Sequence, residues 1–536
     1  MQGKTPERLF YTMEKEFTEK LFSSQLDRLA EEFPLNNAIT CENKTITYYQ
    51  MKEYADAASL KLLRAGMKKG DKVILWGFNS IEWIISFWAV TQAGGIAVLM
   101  NYGLIPADVT ALTRMVSASF GIIGDNAVTK KNPGLSINAL VIGGVDEDHI
   151  FSINELSYLS NDSEKAEDIQ LLVRAKKSVD RKDSQVIIFT TGSSSEPKAV
   201  LLSSFSILSD VDGIVDMIGS GSGDTFCLAL PLYHSYGMIM ALTYMAMGKH
   251  VYLSHLLKPD ILINLIAENR VLDISSVGAV YKMMVNLPDF DNKIAGKIRR
   301  CVVGGSFNSP ADMIHLEKKF NGAVFLLGYG QTECSPAISV EVESDPLENR
   351  ICSVGHPFRN IDVKIMGDDG VFLPDGEVGE IVVKGPILMN GYLGLPADEQ
   401  PIDKNGWLHT GDLGKFNENE MLEFSGRIKD IINRGGENIS PIEIERAILS
   451  EHGIREVKVM GCPHPIFGES VEACIVLKND TFDEANMREV LKNKLAPYKI
   501  PAHFFIYDAF PLSENGKLDQ RRLRADMIER LSALSA

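Results

Sequence analysis

The sequence has no excess of positive charge: 54 lysines and arginines stand against 71 aspartates and glutamates, for a formal net charge of −17. That balance argues against a general nucleic-acid binder and leaves anion binding to local lysines, arginines and backbone N–H groups. Cysteine is sparse. The seven residues, Cys41, Cys227, Cys301, Cys334, Cys352, Cys462 and Cys474, form no C-x-x-C pair and are odd in number. Neither a disulfide framework nor a zinc site is indicated, and a reducing compartment is expected. Long uninterrupted apolar runs are missing too. The most apolar stretch, WIISFWAVTQAGGIAVLM (83–100), is broken by Ser86, Thr91, Gln92 and the Gly94–Gly95 pair, which predicts a buried helix followed by a strand. The N-terminal MQGKTPERLFYTMEKEF is charged where a signal peptide has its apolar core. A soluble cytoplasmic protein with no transmembrane segment is the expectation.

With 536 residues, 45% of them hydrophobic, the chain is too long for one compact unit, and two or more domains are expected. From about residue 45 to 400, strand-like runs such as KVILWG (72–77), ALVIGG (139–144) and AVFLLGYG (323–330) alternate with helical patterns such as YQMKEYADAASLKLLRAG (49–66). Such alternation predicts stacked α/β layers with largely parallel sheets. Between roughly 360 and 425, strands separated by D-D-G, P-D-G and G-W turns predict a β-rich subdomain. After GRIKDIINRGGENISP (426–441) a helix, two strands, a helix, a strand and a final helix make a separate α+β domain. The polar, glycine-containing segment 426–436 is the candidate hinge.

The stretch VIIFTTGSSSEPKAVLLSS (186–204) places six small residues, Thr190 through Ser195, and then Lys198 beyond a short β-branched run. Hydroxyls, backbone N–H groups and a mobile ammonium suit an anion, and phosphate is the obvious one. A P-loop is excluded. Pro197 stands where the second glycine belongs, and Ala199 where that motif needs a magnesium-binding hydroxyl.

Four further stretches accompany this loop: GYGQTECSP (328–336), GWLHTGDLG (406–414), GRIKDIINRGGENISPIEIE (426–445) and PLSENGKLDQRRLR (511–524). In this order and over essentially the whole chain, the five resemble the adenylate-forming superfamily of acyl-CoA synthetases, adenylation domains and beetle luciferases. The resemblance implies an α/β fold: a large N-terminal domain of stacked layers with the β-rich subdomain (1–426), then a small mobile α+β domain (427–536) that turns about a hinge near 427–430. It also implies an activity, the joining of a carboxylate to AMP from ATP with release of pyrophosphate, followed by acyl transfer to a thiol.

Roles follow from the same resemblance. Thr190, Thr191, Gly192, Ser193, Ser194, Ser195 and Lys198 would hold the β- and γ-phosphates, Thr332 would contact the α-phosphate, and Glu333 would help hold Mg2+. Asp412 would accept from both ribose hydroxyls, with Arg427 contacting ribose and phosphate. Adenine would lie between Tyr329, with Gly330 beside it, and a wall of Gly304, Gly305 and Ser306. Lys517 would bridge carboxylate and phosphate during adenylation. Lys429 would be the hinge residue, and Gly435 and Gly436 would line a narrow tunnel for the thiol arm. The loop departs from the family pattern at Ser195 and Ala199, where glycines are usual.

PLYHSYGM (231–238) resembles the segment bordering the acyl pocket, with His234 as an aromatic gate. The resemblance disfavours an α-amino acid, because amino-acid-activating relatives place an aspartate in this region to pair with the ammonium, and Tyr233, His234 and Ser235 offer no carboxylate. Tyr236, Met238, Val277, Gly278, Ala279 and Met283 make an apolar candidate wall, suited to a fatty or aryl acid. No fused carrier domain is expected after Lys517, so the acceptor would come in trans: coenzyme A, or a separate carrier protein. A nucleotide-binding pseudoenzyme and a phosphotransferase remain as alternatives.

Overall fold

The computed structural model describes residues 20–124, 145, 147–153, 166–191, 197–219, 222–305, 310–451, 453–478, 481–512 and 518–534. Among these the chain forms four sheets, in two mostly parallel layers followed by two antiparallel-rich units. The first layer has seven strands, ordered Gly391–Tyr392, Pro197–Ser203, Ser184–Thr191, Ile96–Met100, Lys72–Trp76, Phe120–Ile123 and Ile150–Ser152. The second has nine, ordered His356–Pro357, Ser339–Val340, Val324–Tyr329, Arg300–Val303, Asp273–Ser276, Thr225–Leu228, His250–Leu253, Asn37–Cys41 and Lys44–Thr47. Central strands of both layers pair in parallel, as in Ile74 with Val98 and Ile274 with Cys301. They read as continuous Val/Ile/Leu runs because helices cover both of their faces.

The apolar stretch folds as expected. Ile81–Gln92 is a helix and Ile96–Met100 a strand. The helix starts at Ser80, whose Oγ accepts from the Trp83 N–H at 3.0 Å, and among its residues all but Glu82 are buried. A helix apolar on every side belongs inside a core. Trp83, Phe87 and Trp88 join one cluster with Val73 and Leu99 of the seven-stranded sheet and Phe226 and Leu228 of the nine-stranded one, so the two layers share a core. The helical pattern at 49–66 is the helix Tyr48–Arg64, opened by a capping box between Thr47 and Gln50. ALVIGG (139–144) lies outside the described residues.

The β-rich subdomain expected between roughly 360 and 425 is one antiparallel sheet of Asp362–Met366, Gly379–Lys384, Leu408–Phe416 and Leu422–Arg427, in which Leu408–Phe416 is a strand beyond the three the sequence suggested. A short turn, Ile428–Asp430, leads from it into the last unit, where Ile432–Arg434, Glu437–Ile439, Ile454–His464, Gly468–Leu477 and His503–Tyr507 share a sheet. Helices Pro441–Leu449, Glu484–Lys492 and Gln520–Leu534 accompany it, and Ile444, Ile448, Val471 and Leu491 belong to its own core. From residue 441 on, the expected order of helix, two strands, helix, strand and helix is reproduced, whereas part of the segment read as a polar hinge forms an additional hairpin, Ile432–Arg434 with Glu437–Ile439. Among the described residues no helix is long and apolar enough to cross a membrane.

Candidate active site

The opening stretch is a β-hairpin. Ser184–Thr191 pairs antiparallel with Pro197–Ser203, setting Thr190 opposite Lys198 and Thr191 opposite Pro197. This corrects the sequence reading of Thr190 through Ser195 as one turn: the β-branched threonines continue the strand, and Lys198 stands on the returning strand. Gly192, Ser193, Ser194 and Ser195 lie outside the described residues, as do Ser306 and Lys517.

Lys198 does not stand alone. Its Nζ lies 4.7 Å from the centroid of the Tyr392 ring, a cation over the negative face of an aromatic. Tyr392 reaches this place because the two-residue strand Gly391–Tyr392 pairs with the returning strand of the hairpin, opposite Leu201 and Val200. The Tyr392 hydroxyl donates to Glu333 Oε1 at 2.6 Å. Burial and the Glu333 charge both push that phenol well above its ordinary value, so it stays a donor. A chain of contacts thus links Lys198, Tyr392 and Glu333.

Glu333 occupies the short turn Thr332–Cys334 after the strand Val324–Tyr329, and its carbonyl accepts from the Met389 N–H at 2.9 Å. Beside it, Thr332 Oγ1 and Ser235 Oγ are 3.0 Å apart. Gly330 cannot carry a side chain, since a Cβ there would lie 2.0 Å from the Pro336 carbonyl oxygen. The glycine in Y-G-Q-T-E is therefore required by the turn itself.

Asp412 is 3% exposed. Its Oδ2 accepts from the Tyr329 hydroxyl at 2.9 Å, and its Oδ1 lies 3.1 Å from Arg427 Nε. Arg427 faces Asp412 across the ladder between Leu408–Phe416 and Leu422–Arg427, which is why the two motifs meet. Burial pushes the Asp412 carboxyl up; Arg427 foremost, then Tyr329 and Lys429, pull it back, and Glu333 adds to the upward push. Five residues predicted from three motifs therefore form one electrostatic neighbourhood: Tyr329, Glu333, Asp412, Arg427 and Lys429. Arg427 and Lys429 are exposed, on the side where the Ile428–Asp430 turn leaves the sheet.

His234 caps the helix Ser235–Ala246: its Nδ1 accepts from the Tyr236 N–H at 3.3 Å. A neutral imidazole so placed carries its proton on Nε2. The Tyr236 hydroxyl donates to the Val302 carbonyl at 3.1 Å and accepts from Ser275 Oγ at 2.8 Å, fixing the ring. A Cβ at Gly304 would lie 3.1 Å from that ring, so two walls read separately in the sequence touch each other. Gly305 follows with φ +75°. Met238 and Val277 are core residues, Gly278 is buried and Ala279 packs against the same cluster, but Met283 is 43% exposed.

On the far side of the 428–430 turn, Gly435 and Gly436 are the loop of a tight hairpin in which Arg434 pairs with Glu437. Their φ values of +64° and +93° are the turn's own demand for glycine.

Fold and site together define an adenylate-forming enzyme. The profile of the AMP-binding enzyme family matches residues 26–393, and that of the AMP-binding enzyme C-terminal domain matches residues 443–517. The chain belongs to this family. A long-chain-fatty-acid–CoA ligase of Bacillus subtilis is 26% identical, over 95% of this chain and 95% of its own. A mitochondrial medium-chain acyl-CoA ligase of Bos taurus is also 26% identical, over 95% of this chain and 87% of its own. The crystal structure of an ATP-bound protein from Rhodopseudomonas palustris superposes with a TM-score of 0.81, at 24% identity, covering 94% of this chain and 98% of that one. At that identity the likeness concerns the fold.

Proposed function

We propose that this protein activates a fatty or aryl acid with ATP, forming an acyl-adenylate and pyrophosphate, and passes the acyl group to the thiol of coenzyme A. The observation that carries the reading is the Asp412 carboxylate, buried between Tyr329 and Arg427 and coupled in charge to Glu333. An acceptor-only group held in place by the Tyr329 hydroxyl and the exposed Arg427 suits a ribose diol. The acid class draws on relatives named as ligases of long- and medium-chain acids and on the apolar surroundings of Tyr236.

In the first step a substrate carboxylate oxygen bonds to the α-phosphorus while the bond from that phosphorus to the β-bridging oxygen breaks, and pyrophosphate leaves with the electron pair. In the second the thiol sulfur, losing its proton, bonds to the acyl carbon and AMP departs. Repulsion between carboxylate and triphosphate makes positioning and charge neutralisation the main tasks. We assign Thr190, Thr191, residues 192–195 and Lys198 to the β- and γ-phosphates, Thr332 to the α-phosphate, Asp412 and Arg427 to ribose, and Tyr329, Gly330, Gly304, Gly305 and Ser306 to adenine. His234 borders the acid and Lys517 bridges it to phosphate. Lys429 is the pivot between 1–426 and 427–536, and Gly435 and Gly436 approach the adenylate for thiol transfer.

Among the described residues no cluster of three or more His, Cys, Asp or Glu side chains could hold a metal. A Mg2+ ion here would take a single protein carboxylate, Glu333, and would help neutralise the charge of the triphosphate. Tyr392 fixes Glu333, so Tyr392→Phe raises the Mg2+ concentration for half-maximal pyrophosphate release about tenfold, the loss of one charge-assisted hydrogen bond. A Mg2+ titration at saturating ATP and acid reads this, and an unchanged midpoint removes Tyr392 from the account.

Pyrophosphate and AMP release across aliphatic, aryl and amino acids, with and without coenzyme A, tests the whole reading. Adenylation that coenzyme A fails to accelerate transfers the acceptor role to a carrier protein.

A further inference from the structure

The phosphate hairpin and the His234 turn belong to different layers. Thr190 and Lys198 stand in the seven-stranded sheet, whereas His234 and Ser235 follow the strand Thr225–Leu228 of the nine-stranded sheet. In-line attack requires groups from both to be in register, because small errors in placing the nucleophile cost large factors in rate. One buried side chain joins the two layers just ahead of the His234 turn.

Asn79 follows the strand Lys72–Trp76 of the seven-stranded sheet and is 2% exposed. Its side-chain amide spans Pro231 of the opposite layer: Nδ2 donates to the Leu230 carbonyl at 2.8 Å, and Oδ1 accepts from the Leu232 N–H at 2.8 Å. Proline has no N–H of its own to place in a ladder, so the groups on either side of it are natural handles for such a clamp. The segment so held runs directly into the site. The His234 N–H donates to the Pro231 carbonyl at 3.2 Å, and a Cβ at Gly237 would lie 2.0 Å from that same oxygen. An aromatic train reinforces the junction: the Tyr233 ring meets Tyr102 edge-on at 5.3 Å, and Tyr102 leans on Phe78 at 4.7 Å. Phe78, Asn79 and Tyr102 all lie just beyond strand ends of the seven-stranded sheet.

We propose that Asn79 is a positioning residue that sets the acid-binding His234 turn against the ATP-binding hairpin. The proposal rests on the ligase reading above. Its signature is a split between substrates: without the clamp, ATP still meets its hairpin and Asp412, but the acid is misplaced.

The test is steady-state kinetics of pyrophosphate release by the full chain and by Asn79→Ala and Asn79→Asp, using the best acid of the panel. Asn79→Ala raises KM for the acid about tenfold or more and lowers kcat, with KM for ATP within about twofold of the parent. Asn79→Asp keeps the acceptor for Leu232 and, while protonated, the donor for Leu230; burial raises such a carboxyl. Its KM for the acid therefore lies near the parent value at pH 6 and climbs by pH 9, a rise the parent lacks. A role confined to folding predicts a lowered kcat with both KM values unchanged, and that outcome overturns the proposal. So does an equal rise in both KM values. If Asn79→Ala does not fold, the pH dependence of Asn79→Asp decides alone, and a flat profile matching the parent's overturns it. A parent that releases no pyrophosphate with any acid overturns the ligase reading, and this inference with it.

Discussion

Lys517→Ala lowers the rate of acyl-adenylate formation on the order of a hundred- to a thousandfold, the range found when one preorganised donor to a transition state is removed. Transfer of a preformed acyl-adenylate to coenzyme A stays within about threefold of the parent. The asymmetry follows from the charge each step develops. In adenylation two anionic groups close on one phosphorus, and an ammonium bridging them stabilises the crowded state more than the separated one. In thiol transfer no second anion has to be brought up to the phosphorus, so an ammonium bridging carboxylate and phosphate is no longer needed. Lys517 lies outside the described residues, but Leu512 and Leu518 on either side of it pair with each other in the small domain, so the assignment requires that domain to face the ATP site during the first step. Single-turnover measurement of each half-reaction separates the two. Equal loss in both removes Lys517 from the adenylation role.

Asp412→Asn raises KM for ATP and lowers kcat/KM for ATP by roughly a hundredfold, corresponding to about 3 kcal/mol for hydrogen bonds from two hydroxyls to a charged acceptor. KM for the acid changes little. Stability moves the other way. Burial raises the folded-state pKa of Asp412 despite Arg427, so between its unfolded and folded values the native state binds more protons, and stability falls as pH rises through that window. At neutral pH the ionised carboxylate is thus a net cost to folding. Asparagine removes it and can still accept from Tyr329. Thermal melts at pH 7 are expected to show Asp412→Asn at or above the parent Tm. A large drop in Tm with unchanged KM for ATP would identify Asp412 as a structural group instead.

The most legible parts of the sequence were those where one property repeats over a whole element. Ile81–Gln92 was readable because almost every side chain is apolar, and the small domain because its helix and strand periods alternate cleanly. Motifs singled out Tyr329, Glu333, Asp412 and Arg427, which the fold brings together, because each sits in a short run of characteristic neighbours. The boundaries of the phosphate hairpin were less legible: hydroxyl residues suggested a turn, but threonine is β-branched and Thr190 and Thr191 continue the strand. The glycines of NRGGEN have a local explanation, a two-residue hairpin loop, that their proposed later role did not require.

Partnerships across the fold were barely legible. Tyr392 lies 59 residues from Glu333, on a strand of two residues, and Asn79 lies 151 residues from Leu230. No periodicity or spacing connects such pairs, because they are made by the stacking of two sheets. A sequence sign did exist for Tyr392 in hindsight, the glycine just before it: Gly391 takes φ +123°, a backbone conformation that glycine adopts without strain. Asn79 had the weaker sign of a polar residue, Asn79-Ser80, between two strongly apolar elements, where half of the pair is accounted for by the helix cap at Ser80.

Product analysis is the most direct test of the central claim: incubate the full chain with ATP, Mg2+, coenzyme A and one acid at a time, and quantify AMP, ADP, pyrophosphate and acyl-thioester together. The account predicts AMP and pyrophosphate in equal amounts, matched by thioester, with a fatty or aryl acid and not with α-amino acids. Formation of ADP, or AMP release that does not depend on any acid, would contradict it.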